Sequence, residues 1–528
     1  MLSAGSILRT PMLFCPVLSK RRVPLLSGLL LALATGLAPQ TGVLAAGTPA
    51  ASAALPNLGD GSELAPAAER RIGDRIAREL YRDPDYLDDL VITDYVQGIW
   101  QPLVAAARQQ GNLPAQLDEA FAWEILLGRD RSVNAFALPG GYVGLHLGLV
   151  GVVSSRDELA SVLAHELSHV TQRHIARSMA RQAAQAPWLM GAMILGMLAA
   201  SKDPAAAQAT IVGGQAAAVQ SQLNYSRDME READRVGFGV QTQAGFAPQG
   251  FVTMFEKLQQ SSRLNDVGGF PYLRSHPLTT ERIADMQSRV RQSEQASALP
   301  TSTLEHAMVA ARARVLSNAA VDALRVWDSQ AQPANLAKQP ALSQVGTLYG
   351  ATLAALKLRD FALAQATLAR LQERSGADPA AMRQVRLLAL EMALVQGDLA
   401  KAQNLARGLG DASRATLMLR SQVDTLGGQG AQAAQALQTW LADHPRDAQA
   451  WQLLAAANAA MGRPVAAVRA EAEVNVAQLD YAAALTRFKA AQDMARKSKL
   501  ASDHIEASIV DTRARQMEAL LREQAQER

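Results

Sequence analysis

Residues Ala164–His169, with the sequence AHELSH, place two histidines four positions apart in a segment of helical character. Apolar residues recur at helical spacing from Asp157 to about Ser178, which predicts one continuous helix with a single buried face. Residues i and i+4 project from the same face of a helix, so His165 and His169 can bind one zinc ion. Glu166 lies beside them and can take a proton from a water molecule at the metal and deliver it to a leaving amine.

Two histidines do not complete a catalytic zinc site, which takes three protein ligands and keeps one position open. A third histidine at 175, preceded by glycine at 172, is excluded because the sequence has Gln172 and Ile175. A second helical segment downstream offers Glu230 and Asp234, one turn apart on the same face. Glu230 can complete the metal site, and Asp234 can accept a hydrogen bond from the free ring nitrogen of a ligand histidine.

Two more ionisable residues lie near these candidates. Glu232 falls on a different face from Glu230 and is expected to be solvated. His174, a turn beyond His169 on the predicted continuous helix, is rotated off the ligand face, and a structural role is expected for it.

Composition predicts a mostly helical chain with more than one folded unit. The 528 residues are too many for one ordinary core, and aromatic residues make up only 5% and charged residues 19%. Three strand candidates precede the predicted helix: Phe121–Leu127, Val133–Leu138 and Tyr142–Leu147. We therefore expect an α+β catalytic domain with a small sheet, followed by an all-α domain.

The first 45 residues are typical of a signal peptide. Arg9 and Lys20–Arg22 precede the apolar run Leu25–Leu37, which is too short to span a bilayer and is followed by small residues. We expect cleavage after Ala45 or Ala46 and export of the mature chain. An uncleaved N-terminal anchor is the alternative.

Removing this segment changes the net charge from +3 to −1, since it contains four basic residues and no acidic ones. A nearly neutral mature chain indicates no nucleic-acid partner. Cys15, the only cysteine, is removed as well, so neither disulfides nor thiol chemistry are expected in the mature protein.

From about His306 the sequence predicts one helix after another, joined by short turns. Pro445, Trp451 and Ala467 follow tetratricopeptide offsets. The same kind of turn, followed by an alanine-rich helix start, occurs at irregular intervals: Leu358–Ala362, Gly397–Ala400 and Gln478–Ala482. A degenerate tetratricopeptide-like solenoid is expected, and a plain helical bundle is the alternative.

Three further motifs accompany AHELSH in a fixed order. VNAFALPGG at Val133–Gly141 precedes it, EREAD at Glu230–Asp234 follows it, and SHP at Ser275–Pro277 lies beyond, followed by Arg282. With this set the sequence resembles peptidases of family M48 over nearly the whole mature chain. The resemblance implies five segments: a signal peptide at 1–45, a flexible lead-in at 46–64, a zinc peptidase domain at 65–290, a linker at 291–304 and the repeat domain at 305–528.

The resemblance implies a gluzincin-type fold with one Zn²⁺ per chain. In this sequence the ligands would be His165, His169 and Glu230, the catalytic base would be Glu166, and Asp234 would support the site. It also implies a periplasmic protein, with outer-membrane association as a further expectation, that acts in quality control of envelope or outer-membrane proteins.

His276 and Arg282 are candidates for additional roles. In relatives of this type a loop histidine approaches the zinc as a latch, which would make His276 a regulatory or fourth ligand. Its alternative is to cap a turn before Pro277. Arg282 and His276 are both candidates for stabilising the transition state.

Part of the second strand candidate is predicted to lie at a sheet edge beside the metal. An unpaired edge can pair with the extended backbone of a substrate, which suits a protease that tolerates many sequences. An ordinary core strand is the alternative. The residues concerned are Asn134, Ala135, Phe136 and Ala137.

We expect an endopeptidase acting on protein substrates and docked through its repeats to the outer-membrane protein assembly machinery. The alternative is a latched, mainly chaperone-like or docking factor that acts through the same repeats. The apolar stretch Trp188–Ala200 is too short to cross a membrane and is expected to form a buried helix. A lid over the cleft and an interfacial helix in peripheral membrane contact are its alternatives.

Overall fold

A computed structural model describes residues 64–181, 226–264, 270–293, 299–498 and 501–526. Their architecture is mostly helical with one small sheet, which confirms the expected fold class. The proposed signal peptide, nearly all of the lead-in and the stretch Trp188–Ala200 lie outside the described residues. Within the described ranges, no helix combines the length and the apolar character needed to cross a membrane.

The N-terminal part begins with helices that pack around the sheet. Asp83 and Pro84 separate the first two helices, and the side chain of Asp89 caps the second by accepting a hydrogen bond from the Ile92 amide at 3.0 Å. The helices are α1 (Pro66–Arg82), α2 (Leu90–Gln109) and α3 (Ala115–Ala120).

The sheet has four strands in the order β1-β2-β4-β3. They are β1 (Tyr86–Leu87), β2 (Glu124–Gly128), β3 (Ala135–Leu138) and β4 (Tyr142–His146). β2 runs parallel to β4, whereas β3 runs antiparallel to β4 and lies at the edge of the sheet. The turn between β3 and β4 needs positive φ angles of 73° and 86° at Gly140 and Gly141, which glycine adopts without steric cost.

The helix that carries AHELSH lies in the middle of the N-terminal part. It is α5 (Arg156–Thr171), preceded by the short α4 (Leu147–Val152). The side chain of Ser155 caps α5 by accepting a hydrogen bond from the Glu158 amide at 3.1 Å. Every residue from Glu158 to Thr171 is buried, so the helix is enclosed on all sides rather than on the single face that periodicity predicts.

The predicted continuous helix to about Ser178 is wrong, because α5 ends at Thr171 and a turn follows. Arg173 adopts a left-handed φ of 54°, and helical residues resume as α6 at 174–181. The break is held by long-range contacts: Arg173 Nε donates to Glu69 Oε2 at 3.1 Å, and its guanidinium also donates to the Leu64 carbonyl.

Four helices complete the N-terminal part. The first packs closely on α5: a Cβ atom at Gly237 would lie 3.1 Å from the carbonyl carbon and oxygen of Ala164, so a glycine there lets the two backbones approach. They are α7 (226–243), α8 (Gln249–Leu264), α9 (Tyr272–Ser275) and α10 (Thr280–Gln292).

The C-terminal part consists of helices that pack on their neighbours in sequence. Aspartate side chains cap several of them, including Asp360, Asp398 and Asp480. The helices are α11 (Leu304–Ser317), α12 (Val321–Ala331), α13 (Pro333–Leu336), α14 (Ala341–Lys357), α15 (Phe361–Ser375), α16 (Pro379–Gln396), α17 (Leu399–Arg407), α18 (Arg414–Leu426), α19 (Gly430–Asp443), α20 (Ala448–Ala460), α21 (Pro464–Ala477), α22 (Tyr481–Lys497) and α23 (Ala501–Gln526).

The C-terminal helices are attached to the start of α2 by ion pairs within one compact unit. Three arginines each bridge an acidic residue near the start of α2 to an acidic residue of the C-terminal part: Arg312 joins Asp89 to Glu391, Arg383 joins Asp94 to Asp411, and Arg414 joins Asp88 to Asp447.

Candidate metal centre

Two helices and a loop bring four potential metal ligands together. His165 and His169 come from α5, Glu230 from α7, and His276 from the loop after α9. All four are buried, and one donor atom from each lies within 4.8 Å of the others. The sequence-predicted donors, which are separated by up to 111 positions, therefore meet in one place.

The donor spacing suits a tetrahedral metal ion. His165 Nε2 lies 3.1 Å from His169 Nε2 and 3.3 Å from Glu230 Oε2, and His169 Nε2 lies 3.4 Å from Glu230 Oε1. Tetrahedral bonds of about 2.0–2.1 Å place donor atoms about 3.3–3.4 Å apart. The three residues thus fit a metal ion of this geometry.

His276 lies at a fourth corner of this group. Its Nδ1 atom is 3.1 Å from Glu230 Oε1 and 3.3 Å from His165 Nε2. The loop is held by the Tyr272 amide, which donates to the Val133 carbonyl at 3.3 Å, and the Tyr272 ring lies 4.6 Å from the His276 ring. Sequence reasoning did not single out Tyr272, because an isolated tyrosine carries no local signal of such a contact.

Glu166 is completely buried beside the four donors. Its Oε2 atom accepts a hydrogen bond from the Ala137 amide of β3 at 2.9 Å. Its Oε1 atom forms no hydrogen bond with any residue that the structure describes, and it lies 3.5 Å from His276 Nε2. A buried carboxylate oxygen without a partner is costly, and it leaves an acceptor available for a proton at the site.

Asp234 and Arg282 lie behind the donors. Asp234 Oδ1 is 3.0 Å from His165 Nδ1, and the Arg282 guanidinium binds both Asp234 oxygens at 2.6 and 2.7 Å. Arg282 Nη1 lies 2.9 Å from the Pro277 carbonyl oxygen and 3.0 Å from Glu230 Oε2. All three guanidinium nitrogens are therefore engaged with the back of the site.

These contacts determine the charge of the site. Burial alone raises the pKa of Glu230, but His276, His165 and His169 outweigh burial and hold that pKa well below its ordinary value. Burial also raises the pKa of Asp234, and Arg282 and His165 reverse the effect. Burial lowers the pKa of His165, yet its contacts to Asp234 and Glu230 raise it to about 10. Both carboxylates are thus ionised at neutral pH.

His174 and Glu232 are part of the same arrangement. His174 Nδ1 lies 2.9 Å from His169 Nδ1, and its Nε2 lies 3.1 Å from Glu232 Oε2. Arg177 Nη1 donates to the same Glu232 oxygen at 2.9 Å. Glu232, expected from the sequence to be solvated, is partly exposed and also makes these two contacts, which follow from the break at Arg173.

The predicted substrate edge is at the edge of the four-stranded sheet. The Asn134 carbonyl accepts from the His146 amide of the neighbouring segment at 3.0 Å, whereas the Ala137 amide donates to Glu166. Successive residues of a strand point their backbone N–H and C=O groups in opposite directions. The backbone groups of Ala135 and Ala137 therefore point away from β4, and those of Phe136 point toward it.

Comparison with known proteins identifies relatives of this chain. The model of peptidase family M48 matches residues 95–290. The chain is 32% identical over 465 residues to the "Putative beta-barrel assembly-enhancing protease" of Vibrio cholerae serotype O1, covering 86% of this chain and 91% of the relative. It is 29% identical to the beta-barrel assembly-enhancing protease of Escherichia coli K12, covering 83% and 87%. Mitochondrial metalloendopeptidase OMA1 of Saccharomyces cerevisiae is 29% identical over 36% of this chain and 54% of its own length.

Proposed function

This chain belongs to peptidase family M48, and from that membership we propose that it is a zinc-dependent endopeptidase of the bacterial periplasm that degrades misfolded or stalled envelope proteins. The observation that carries the proposal is the group of three donors 3.1–3.4 Å apart with an unpaired oxygen of Glu166 beside it. Three protein ligands are the number that a catalytic zinc takes, and the fourth corner, where His276 lies, is the position that such a site would open to water when the imidazole withdraws.

His165, His169 and Glu230 would hold the ion. Zn²⁺ in such a site polarises a peptide carbonyl and lowers the pKa of a water molecule. Glu166 Oε1 is placed to accept a proton from water and later to donate it to the leaving amine. The Ala137 amide keeps the other oxygen of Glu166 in place, so the unpaired oxygen is the one that moves the proton.

Asp234 and Arg282 act through the ligands. Asp234 is close enough to His165 Nδ1 to hold that ring in the tautomer whose Nε2 is free for the metal. Arg282 offsets part of the negative charge of Asp234 and Glu230 and fixes their orientation. Because its nitrogens are all engaged, we assign Arg282 a positioning role rather than direct contact with the transition state.

The backbone of β3 would bind the substrate. The backbone groups of Ala135 and the Ala137 carbonyl point away from β4 and are the groups that could pair with a peptide, whereas the Ala137 amide is engaged by Glu166. An extended peptide that pairs with this edge would pass beside the donors, independently of its side chains. This arrangement suits substrates recognised by an unfolded backbone rather than by sequence.

The proposed location and partners follow from the N-terminus and the relatives. The first 45 residues have the features of a signal peptide, and the only cysteine lies within them. Two relatives that align with most of the chain are named for beta-barrel assembly. We propose that the C-terminal helices, as a tetratricopeptide-like domain, dock the enzyme to the outer-membrane protein assembly machinery.

Two substitutions test this function. Glu166→Gln should retain about one zinc per chain in metal analysis but lower the rate of casein cleavage by about 10²–10⁴-fold, because it removes the proton acceptor. Glu230→Ala should lose the zinc as well. Glu281→Gln, at an exposed position of α10, is the matched control and should change neither quantity.

Undiminished zinc in Glu230→Ala, or a wild-type cleavage rate in Glu166→Gln, would refute the assignment. A complementation assay in cells separates the enzyme from a docking factor. Loss of function with Glu166→Gln supports the peptidase, and full function would support the docking role.

A further inference from the structure

We propose that His174 and Glu232 form a hydrogen-bonded chain that holds His169 in the orientation and tautomer needed to bind the metal. The inference rests on the proposed metal site, since it concerns one of its ligands. It adds two positioning residues to the site.

The metal-binding tautomer of His169 fixes the direction of each hydrogen bond in the chain. His169 Nε2 faces His165 and Glu230, so in the metal-binding tautomer its Nδ1 carries the proton. In that tautomer the His169 Nδ1–H group donates a hydrogen bond to His174 Nδ1 at 2.9 Å. The proton of His174 then lies on Nε2, and this N–H group donates a hydrogen bond to Glu232 Oε2 at 3.1 Å.

The chain ends in a charge pair at the edge of the protein. Arg177 Nη1 donates to Glu232 Oε2 at 2.9 Å, and the Glu232 side chain is 28% exposed. His174, in contrast, is only 2% exposed and has both ring nitrogens engaged. The buried His174 imidazole therefore connects His169 to a carboxylate that is itself held in place.

The two ligand histidines receive equivalent support by different routes. His165 is close to Asp234, which is bound by Arg282. Among the described residues, His169 Nδ1 contacts His174 instead of a carboxylate, and a carboxylate–arginine pair lies one residue further out. Removing a partner that holds a ligand histidine in this way typically lowers metal affinity by roughly 10- to 100-fold.

The break in the helix makes this contact geometrically accessible. On a continuous helix His174 would be rotated by about 140° from His169, since each residue turns by about 100°. The left-handed Arg173, held by the buried Glu69, ends α5 and returns His174 to the His169 ring. Strained backbone conformations of this kind persist where surrounding contacts hold them.

The test compares two substitutions at His174 that introduce side chains of similar shape. The quantity measured is the zinc dissociation constant of each purified protein, in competition with a chromophoric chelator. His174→Leu removes the acceptor and should raise that constant about 10- to 100-fold. His174→Asn places a carbonyl oxygen near the position of Nδ1 and should recover most of the affinity. If His174 served only to fill space, leucine would be tolerated at least as well as asparagine, and that result would overturn the inference.

Two reference variants complete the experiment. His146→Leu removes a histidine that bonds Ser132 away from the donors, and it should leave the zinc constant unchanged. An equal loss in His146→Leu and His174→Leu would reduce the effect to general destabilisation and contradict the proposal. His169→Ala should abolish tight zinc binding. Retained zinc binding in His169→Ala would refute the metal site itself. Lost zinc binding in His169→Ala, together with an unchanged zinc constant in His174→Leu, would refute only the hydrogen-bonded chain.

Discussion

We propose that His276 controls access to the metal site. Its Nδ1 atom is 3.1 Å from Glu230 Oε1, and its Nε2 faces the unpaired oxygen of Glu166. In this position the imidazole occupies the corner that a catalytic zinc leaves open for water. The proposed latch is thus consistent with the distances at the site.

Replacement of His276 by alanine should therefore increase peptidase activity. Removing the imidazole leaves three ligands and a vacant fourth position, so casein cleavage should rise severalfold while about one zinc per chain is retained. The measurement is initial cleavage rate together with zinc content. Unchanged activity and unchanged zinc affinity would exclude the latch and leave His276 as a turn residue.

At the scale of the elements, β3 would link substrate binding to Glu166, the proposed catalytic base. It is the edge strand of the sheet, and its Ala137 amide donates to Glu166 Oε2. A substrate paired with β3 would place its backbone along the same strand that holds Glu166. Strand pairing alternates by residue, so the substrate groups that matter should also alternate.

N-methylation of a cleavable peptide tests this pairing. Methyl groups at alternate amides near the scissile bond should each lower kcat/KM by about 2- to 10-fold, the equivalent of one hydrogen bond. Methylation of the intervening amides, which face away from β3, is the internal control. A uniform effect along the peptide, without a period of two, would contradict recognition by β3.

At the scale of the whole molecule, the C-terminal helices are tied to α2 by buried charge pairs. Arg312 contacts Asp89 at 2.7 Å and Glu391 at 2.8 Å, and the exposed fractions of the Arg312 and Asp89 side chains are 6% and 8%. His306 of the same helix, α11, adds hydrogen bonds to Tyr95 and the Val153 carbonyl. The metal-binding part and the helices that follow it therefore share one attachment.

Arg312→Ala should destabilise this attachment strongly. It leaves Asp89 buried without its partner, which typically costs about 3–5 kcal/mol. Arg82→Ala is the matched control, since Arg82 also joins the N-terminal part to the C-terminal helices through Asp480 but is 51% exposed, and such pairs contribute about 0–1 kcal/mol. Urea unfolding of both variants measures the difference. Equal midpoints would show that the buried pair does not hold the two parts together.

The sequence by itself determined the features that depend on local spacing. Two histidines four apart on a helix share a face whatever surrounds them, so His165 and His169 could be paired without coordinates. The same holds for Glu230 and Asp234, and for the Pro139–Gly141 turn, where only glycine adopts the required φ freely. Periodicity and composition were likewise enough for a mostly helical chain with a small sheet.

Only the tertiary structure decided which distant side chains meet. The continuous helix predicted by periodicity breaks at Arg173, because Glu69, 104 positions earlier, binds its guanidinium. That break, invisible in local sequence, brings His174 to His169 and gives the partly exposed Glu232 a hydrogen-bond partner in His174. The engagement of Arg282 has the same origin: contacts between residues far apart in the chain depend on how whole elements pack, and helical spacing carries no information about that packing.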